Sequence, residues 1–264
     1  MKMVIYYFSG TGNSLAVAKR LADNLGEGVE LRSIAGYEND PNVKVDEDLL
    51  GLIFPVQFVN APQIVQNFLR KMEFKTDPYI FAMATCNAVP GFSLFTIKRM
   101  LEQKGKQLAL GFAIDMPGNA IVGKIDLTSP PEEQKRRLTN AEVKLSSVIQ
   151  MIKERRRGLI EGHNSLKLHI ESFLMSTYIQ YLYRPEKRFR AQKNCSHCGT
   201  CIRVCPVNNI SMDAKDNPIW GKYCVHCLAC FHWCPKQAIN LEDHTIGKRR
   251  YHHPEISIED ITAL

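Results

Sequence analysis

Apolar residues along the first 115 positions fall into short runs separated by amphipathic stretches. VIYYF (4–8), LLGLIF (49–54), YIFAMA (79–84) and LALGFAI (108–114) are near-continuous runs of strand length, and VELRSI (29–34) alternates like a more exposed strand. A strand covered by helices on both faces reads as a continuous apolar run, because neither face meets water. Helical periods lie between the runs. Leu15, Ala18, Leu21, Ala22 and Leu25 share one face, with Asn13 or Ser14 placed to cap the start and Gly26 to end it. Pro62 suits the first turn of a second helix carrying Ile64, Val65 and Phe68. A third helical segment reaches Gly105. This alternation predicts an α/β fold with a five-stranded parallel sheet and helices on both faces.

Pro130 and Pro131 open a long amphipathic helix whose apolar face is Leu138, Ala141, Leu145, Val148, Ile149 and Ile152, ending near Gly158. Residues 164–183 form another helical pattern, with Leu166, Ile170, Phe173, Leu174, Tyr178 and Leu182, until Arg184-Pro185 breaks it. It is expected to pack between domains. From Asn194 the texture changes to a cysteine-rich repeat, followed by the tail RYHHPEISIEDITAL, in which Ser257 and Asp260 have the spacing of a capping box. His252 and His253 lack spaced ligand partners and are read as structural. The expected boundaries are residues 1–158 for the α/β domain, 159–190 for a helical linker, 191–242 for a smaller α+β domain and 243–264 for the tail.

Composition changes this picture little. Of 264 residues, 45% are hydrophobic and 23% charged, as in ordinary globular proteins. The net charge of +7 collects in runs at Lys153–Arg157, Arg184–Arg190 and Lys248–Arg250. These read as solvated helix ends and linkers, with a surface for an acidic partner as the alternative. No nucleic-acid motif accompanies them, so no nucleic-acid partner is expected. The N-terminus lacks the apolar run of a leader, and no apolar stretch reaches the roughly 18 residues of a membrane span. A cytoplasmic location is expected.

Cysteine changes the picture most. Eight of the nine cysteines lie between Cys195 and Cys234, and Cys86 lies apart. The pattern C-x2-C-x2-C-x3-C-P occurs twice, 29 residues apart: Cys195, Cys198, Cys201, Cys205 and Pro206, then Cys224, Cys227, Cys230, Cys234 and Pro235. Three thiolates from one tight loop suit three irons of a cubane, whereas a zinc site takes paired ligands from two separated loops. Two zinc knuckles are the alternative. The run resembles the bacterial ferredoxin signature, in which the fourth cysteine ligates the other cluster. By that resemblance one [4Fe–4S] cluster takes Cys195, Cys198, Cys201 and Cys234, and the other Cys224, Cys227, Cys230 and Cys205.

The first strand runs into YFSGTGNS (7–14). A Walker A loop needs a Lys after its second glycine, and Asn13 and Ser14 follow Gly12 here. A dinucleotide fingerprint needs a third glycine, where this chain has Leu15. A plain glycine turn is the bland alternative. The remaining reading is a phosphate monoester at a helix N-terminus, held by Ser9, Gly10, Thr11, Gly12, Asn13 and Ser14 through backbone amides and three hydroxyls. The segment resembles the FMN-phosphate loop of the flavodoxin family. That resemblance covers about residues 1–155 and implies strand order 2-1-3-4-5, with FMN between the loops that follow strands 3 and 4. Pro55, Val56, Gln57 and Phe58 would line one side of the ring and Thr85, Cys86 and Asn87 the other, with Phe58 the stacking candidate. Neither loop contains Asp or Glu, a departure from the family's usual acidic ring loop. Cys86 reads as a small packing residue, and segment 115–123 is placed towards the ring's outer edge.

Together the chain resembles flavodoxin–ferredoxin fusion proteins of anaerobes, a resemblance that extends to the RYHHP tail. It implies an iron–sulfur flavoprotein that passes electrons between two [4Fe–4S] clusters and FMN, with a redox partner protein, an acidic one by charge. The alternative is an FMN-dependent reductase of a small acceptor such as a quinone, nitro compound or activated alkene. A redox sensor would need an output module, and none is legible.

Overall fold

The structure is a computed structural model that describes residues 2–163, 165–178 and 184–262. Strand β1 (Met3–Tyr7) leads into helix α1 (Asn13–Leu25) and returns as β2 (Val29–Ser33). A short β3 (Val43–Val45) precedes β4 (Leu49–Pro55), then α2 (Gln63–Lys71), a short β5 (Met72–Phe74), β6 (Tyr79–Cys86), α3 (Ser93–Glu102) and β7 (Leu108–Asp115). A hairpin of β8 (Ile121–Val122) and β9 (Ile125–Asp126) follows, then α4 (Pro131–Lys153), β10 (Leu159–Ile160) and α5 (Leu166–Thr177).

The central sheet is parallel throughout, in the order β10-β7-β6-β4-β1-β2. Its five long strands take the 2-1-3-4-5 arrangement of a flavodoxin-like fold. Alternation along β1 builds both cores. Met3, Ile5 and Tyr7 face Leu15, Val17 and Leu21 of α1 and Leu145, Val148 and Ile152 of α4. Val4, Tyr6 and Phe8 face Ile64, Val65 and Phe68 of α2 and Leu94, Ile97 and Leu101 of α3. Each such large side chain, fully buried, contributes about 1.5–3 kcal/mol.

Three elements differ from the expectations. The sheet gains a sixth strand, Leu159–Ile160, which pairs with Leu110 and Gly111 of β7. Two residues are too few to show a period, and Ile160 finds its place because Gly111 leaves room for it. Helix α1 is capped by Gly12, at φ 96°, and neither Asn13 nor Ser14 supplies a side-chain cap. Helix α5 leaves Ile170, Phe173 and Leu174 52%, 68% and 60% exposed, while Ser172 faces inward. Its apolar residues are spread around the helix, so one packed face cannot cover them all. Leu182 lies outside the described residues.

The cysteine-rich module comprises β11 (Phe189–Ala191), α6 (Thr200–Arg203), β12 (Ile210–Met212), β13 (Pro218–Trp220), α7 (Ala229–His232) and β14 (Ile239–Leu241). β11 pairs with β14 and β12 with β13, both antiparallel. The sequence repeat is also a backbone repeat. His197 and His226, Gly199 and Leu228, and Asn208 and Gln237 all take positive φ at equivalent positions. The tail ends in α8 (Ile258–Thr262), opened by the reciprocal Ser257–Asp260 capping bonds of 3.0 and 3.1 Å. Among the described residues no helix is long and apolar enough to cross a membrane.

Phe81 is fully buried beside its register partner Gly51, where a Cβ would stand 2.6 Å from the Phe81 ring. Phe81→Ala should therefore cost about 3–5 kcal/mol, as large-to-small core changes do. The check is the shift of the urea unfolding midpoint.

Candidate functional site

The eight clustered cysteines ring two cavities. Cys195, Cys198, Cys201 and Cys234 line one, together with Gly199, Thr200, Met212 and Ile239. Cys205, Cys224, Cys227 and Cys230 line the other, with Phe189, Ile210, Trp220 and Leu228. Each cavity thus draws three cysteines from one repeat and the fourth from the other. Short α6 and α7 present Cys201 and Cys230 from equivalent turns, and the left-handed residues before them bend each loop around its cavity. Among the described residues no three His, Cys, Asp or Glu side chains converge as ligands of a single ion would. The cysteines surround a volume rather than a point.

The repeat reaches the sulfurs themselves. The Asn209 amide donates to Cys205 Sγ at 3.3 Å, and the equivalent Ala238 amide donates to Cys234 Sγ at 3.2 Å. Burial pushes the Cys224 thiol up to about 12 and raises Cys227 and Cys230 as well. Cys201 rises to about 11 for the same reason. Cys198 is the exception: it is exposed, and the neighbouring Thr200 hydroxyl lowers its pKa. Buried thiols of this kind ionise only when a cation joins them, so cluster assembly would release protons.

The loop Ser9–Ser14 lies against this module and is buried itself, with Thr11, Asn13 and Ser14 all under one-tenth exposed. The backbone N–H groups of Gly10, Thr11, Asn13 and Ser14 have no acceptor among the described residues. Ser9 Oγ accepts from the Gly12 amide at 3.1 Å, and Thr11 Oγ1 accepts from Asn119 Nδ2. A hydroxyl that accepts keeps its own hydrogen to donate. The loop therefore offers amides and at least two hydroxyl hydrogens at the start of α1, the donor set a phosphate dianion fits. Ser14 Oγ is taken up differently, 2.8 Å from Thr85 Oγ1.

The two modules meet at this loop with no spare space. A Cβ on Gly10 would stand 2.5 Å from the Cys227 carbonyl oxygen, and Trp233 Nε1 donates to the Gly10 carbonyl at 2.9 Å. The tail closes the other side. The His253 amide donates to the Thr11 carbonyl at 2.8 Å and the Tyr251 hydroxyl bonds Asn13 Oδ1 at 2.6 Å. Burial raises the Tyr251 phenol and pushes His253 down to about 4, so both act as neutral groups. His252 stacks on Trp233 at 4.2 Å.

The strand-end loops also face the cysteine module. Gln57 Nε2 donates to the carbonyls of Val225 and His226 at 3.3 and 3.4 Å, and Phe58 stacks on the His226 ring at 6.0 Å. The loops join each other through Val56 to Thr85 at 2.8 Å and Phe92 to Val59 at 3.1 Å. Asp115 accepts from the Ala88 amide at 2.7 Å, so an acid backs this loop from β7 although the loop contains none. Cys86 is buried and pushed up to about 12, which makes it an inert packing thiol.

Sequence reasoning put Ser9–Ser14, Pro55–Phe58 and Thr85–Asn87 at the strand ends, where the structure also has them, and the structure sets the Cys224–Cys230 loop against Gly10, Gln57 and Phe58. Sequence reasoning pointed to segment 115–123 as a whole and to His232 as a packing residue beside the cysteines, but not to the link between Asn119 and the loop. His232 Nε2 donates to the Asn119 carbonyl at 2.8 Å, and Asn119 in turn holds Thr11. Asn119 carries no sequence signal beyond its place after the fifth strand.

Residues 187–239 match the family model of a 4Fe-4S dicluster domain. None of the curated proteins compared with the chain matches it. Among solved structures, the two-electron reduced flavodoxin of Megasphaera elsdenii is 20% identical, with a TM-score of 0.34, over 54% of this chain and 98% of its own. An FMN-dependent NADH-azoreductase from Bacillus anthracis, in complex with FMN, is 8% identical with a TM-score of 0.39, over 58% of this chain and 100% of its own. A flavodoxin from the domain Archaea is 12% identical with a TM-score of 0.34, over 57% and 99%. The chain joins a sheet of flavodoxin-like strand order to a module that matches a 4Fe-4S dicluster domain.

Gly10→Ala should force the Ser9–Ser14 loop away from Cys227 and cost about 1–3 kcal/mol, the usual range for overpacking. Gly36→Ala is the control, since a Cβ there meets nothing within 4 Å. Unfolding by denaturant, followed by protease sensitivity between the modules, compares the two.

Proposed function

We propose that the chain is an electron-transfer protein that binds two [4Fe–4S] clusters and FMN and passes electrons between them. One cluster would be held by Cys195, Cys198, Cys201 and Cys234, the other by Cys224, Cys227, Cys230 and Cys205. FMN would be held by its phosphate at Ser9–Ser14, with Pro55–Phe58 and Thr85–Asn87 at the strand ends nearest its ring. When bound, the clusters supply one-electron transfer and the flavin couples one- to two-electron steps.

The observation that carries this reading is the seating of the Cys224–Cys230 loop on the phosphate loop and on Gln57 and Phe58. The chain's residues do three things there. Gly10 removes the side chain that would separate the loops. Trp233, Tyr251 and His253 pin the phosphate loop from two sides. Val225 and His226 cover the strand-end loops, which favours exchange with the clusters over direct reduction of a small acceptor. The other tetrad faces outward. Cys198 is exposed, and exposed Lys193, Arg203 and Lys236 stand close to it in sequence or around its cavity, an arrangement suited to an acidic redox partner.

Anaerobically purified protein should contain about eight irons per chain and equimolar FMN. Cys205→Ala and Cys224→Ala should remove the same cluster, and Cys234→Ala the other, each leaving about four irons. Iron assay with EPR of the reduced protein reads this. Wild-type protein that holds fewer than about eight irons after reconstitution would overturn the two-cluster reading.

A further inference from the structure

Arg250 ends a basic run that reads as solvated surface in the sequence, yet the structure draws its guanidinium into the cysteine module. Its Cζ lies 3.3 Å from the centroid of the Phe231 ring. One terminal nitrogen donates to the Phe231 carbonyl at 3.0 Å. The other donates to the Gln237 carbonyl at 3.1 Å and to Asn240 Oδ1 at 3.0 Å. Phe231 follows Cys230 directly, and Gln237 closes the turn that Cys234 begins, its amide bonding the Cys234 carbonyl at 2.9 Å. The guanidinium is thus bracketed by one ligand from each tetrad.

Two features of this arrangement are incomplete. Nε is buried and has no hydrogen-bond partner among the described residues. No carboxylate pairs with Arg250 among them either: its neighbours are the neutral groups above, the buried His232, and the thiols of Cys230 and Cys234. A half-buried cation without a counter-charge is costly, so such groups are normally paired. The groups that would become anionic beside it are the cysteines.

We propose that Arg250 is the shared counter-charge of the two clusters and sets the potentials of both. The proposal rests on the two-cluster reading above. Uptake of one electron by a cluster adds one negative charge, makes and breaks no bond, and draws its electron from an external one-electron reductant. A fixed positive charge beside ligands of both clusters stabilises the reduced form of each. Arg250 therefore acts through the clusters' electrostatics as a positioning residue.

The test is a dithionite titration of the full chain, followed by EPR and absorbance at controlled potential, with iron assayed on the same samples. Arg250→Gln should keep its iron and make reduction of both clusters about tenfold less favourable, which is about 59 mV for one electron. Arg250→Lys should hold both potentials near those of the parent. Asn240→Asp is the variant that leaves Arg250 in place: it is isosteric and gives the guanidinium the carboxylate it lacks. It should lower both potentials in the same direction, and it decides the matter if Arg250→Gln fails to load. Fully loaded Asn240→Asp or Arg250→Gln with unchanged potentials overturns the proposal, as does a shift confined to one cluster. Parent protein with fewer than about eight irons would instead sink the two-cluster reading, so the two failures are distinguishable.

Discussion

The constraint on which the molecule turns is the approach of two backbones, at Gly10 and at Cys227. An added methyl group at Gly10 would meet the Cys227 carbonyl, so the Ser9–Ser14 loop and the cysteine loop touch with nothing between them. Non-polar packing extends the contact. Val204, Ala229, Trp233 and Ile256 join the same core as Leu15 and Ile5. The two modules thus share one interior.

The C-terminal tail shows which forces maintain that contact. Lys19 pairs with Asp260, but both side chains are substantially exposed, and pairs of that kind contribute about 0–1 kcal/mol. Tyr251, His253 and Ile256 are buried against the Ser9–Ser14 loop and α1, and each apolar side chain so buried is worth about 1.5–3 kcal/mol. Burial, not charge, holds the strap. Gly12 fits this arrangement twice over. Its φ of 96° starts the helix without a side-chain cap, and a Cβ would press on His253 and Ile256 at 3.0 and 3.1 Å.

The cysteine module carries a different balance. Its core is small, built on Phe189, Ile210, Leu228, Phe231, Ile239 and Leu241 beside the three buried cysteines Cys201, Cys205 and Cys230 and Ile121 of the neighbouring module. Thiols raised by burial resist ionisation, and backbone amides donate to Cys205 and Cys234, the cysteines that each cavity takes from the other repeat. Metal binding and folding are coupled in such a module, because the ligands become good ligands only when the cations are present.

Much of this was legible in the chain. The buried strands read as apolar runs because both faces of a parallel sheet are covered, and the two cysteine repeats read as cluster loops because their spacing is itself the geometry. Local physics sufficed for both. It also sufficed for Ser257 and Asp260, which cap one another three residues apart. The tertiary structure alone decided the rest. It added Leu159–Ile160 to the sheet, a strand too short to carry a period. It left Phe173 and Leu174 of α5 exposed, although their composition called for burial. It turned Phe58 towards His226, and drew Arg250 out of a basic run to a place between the tetrads. Each of these is settled by the tertiary fold, and no pattern of neighbours along a chain encodes which distant surface will arrive.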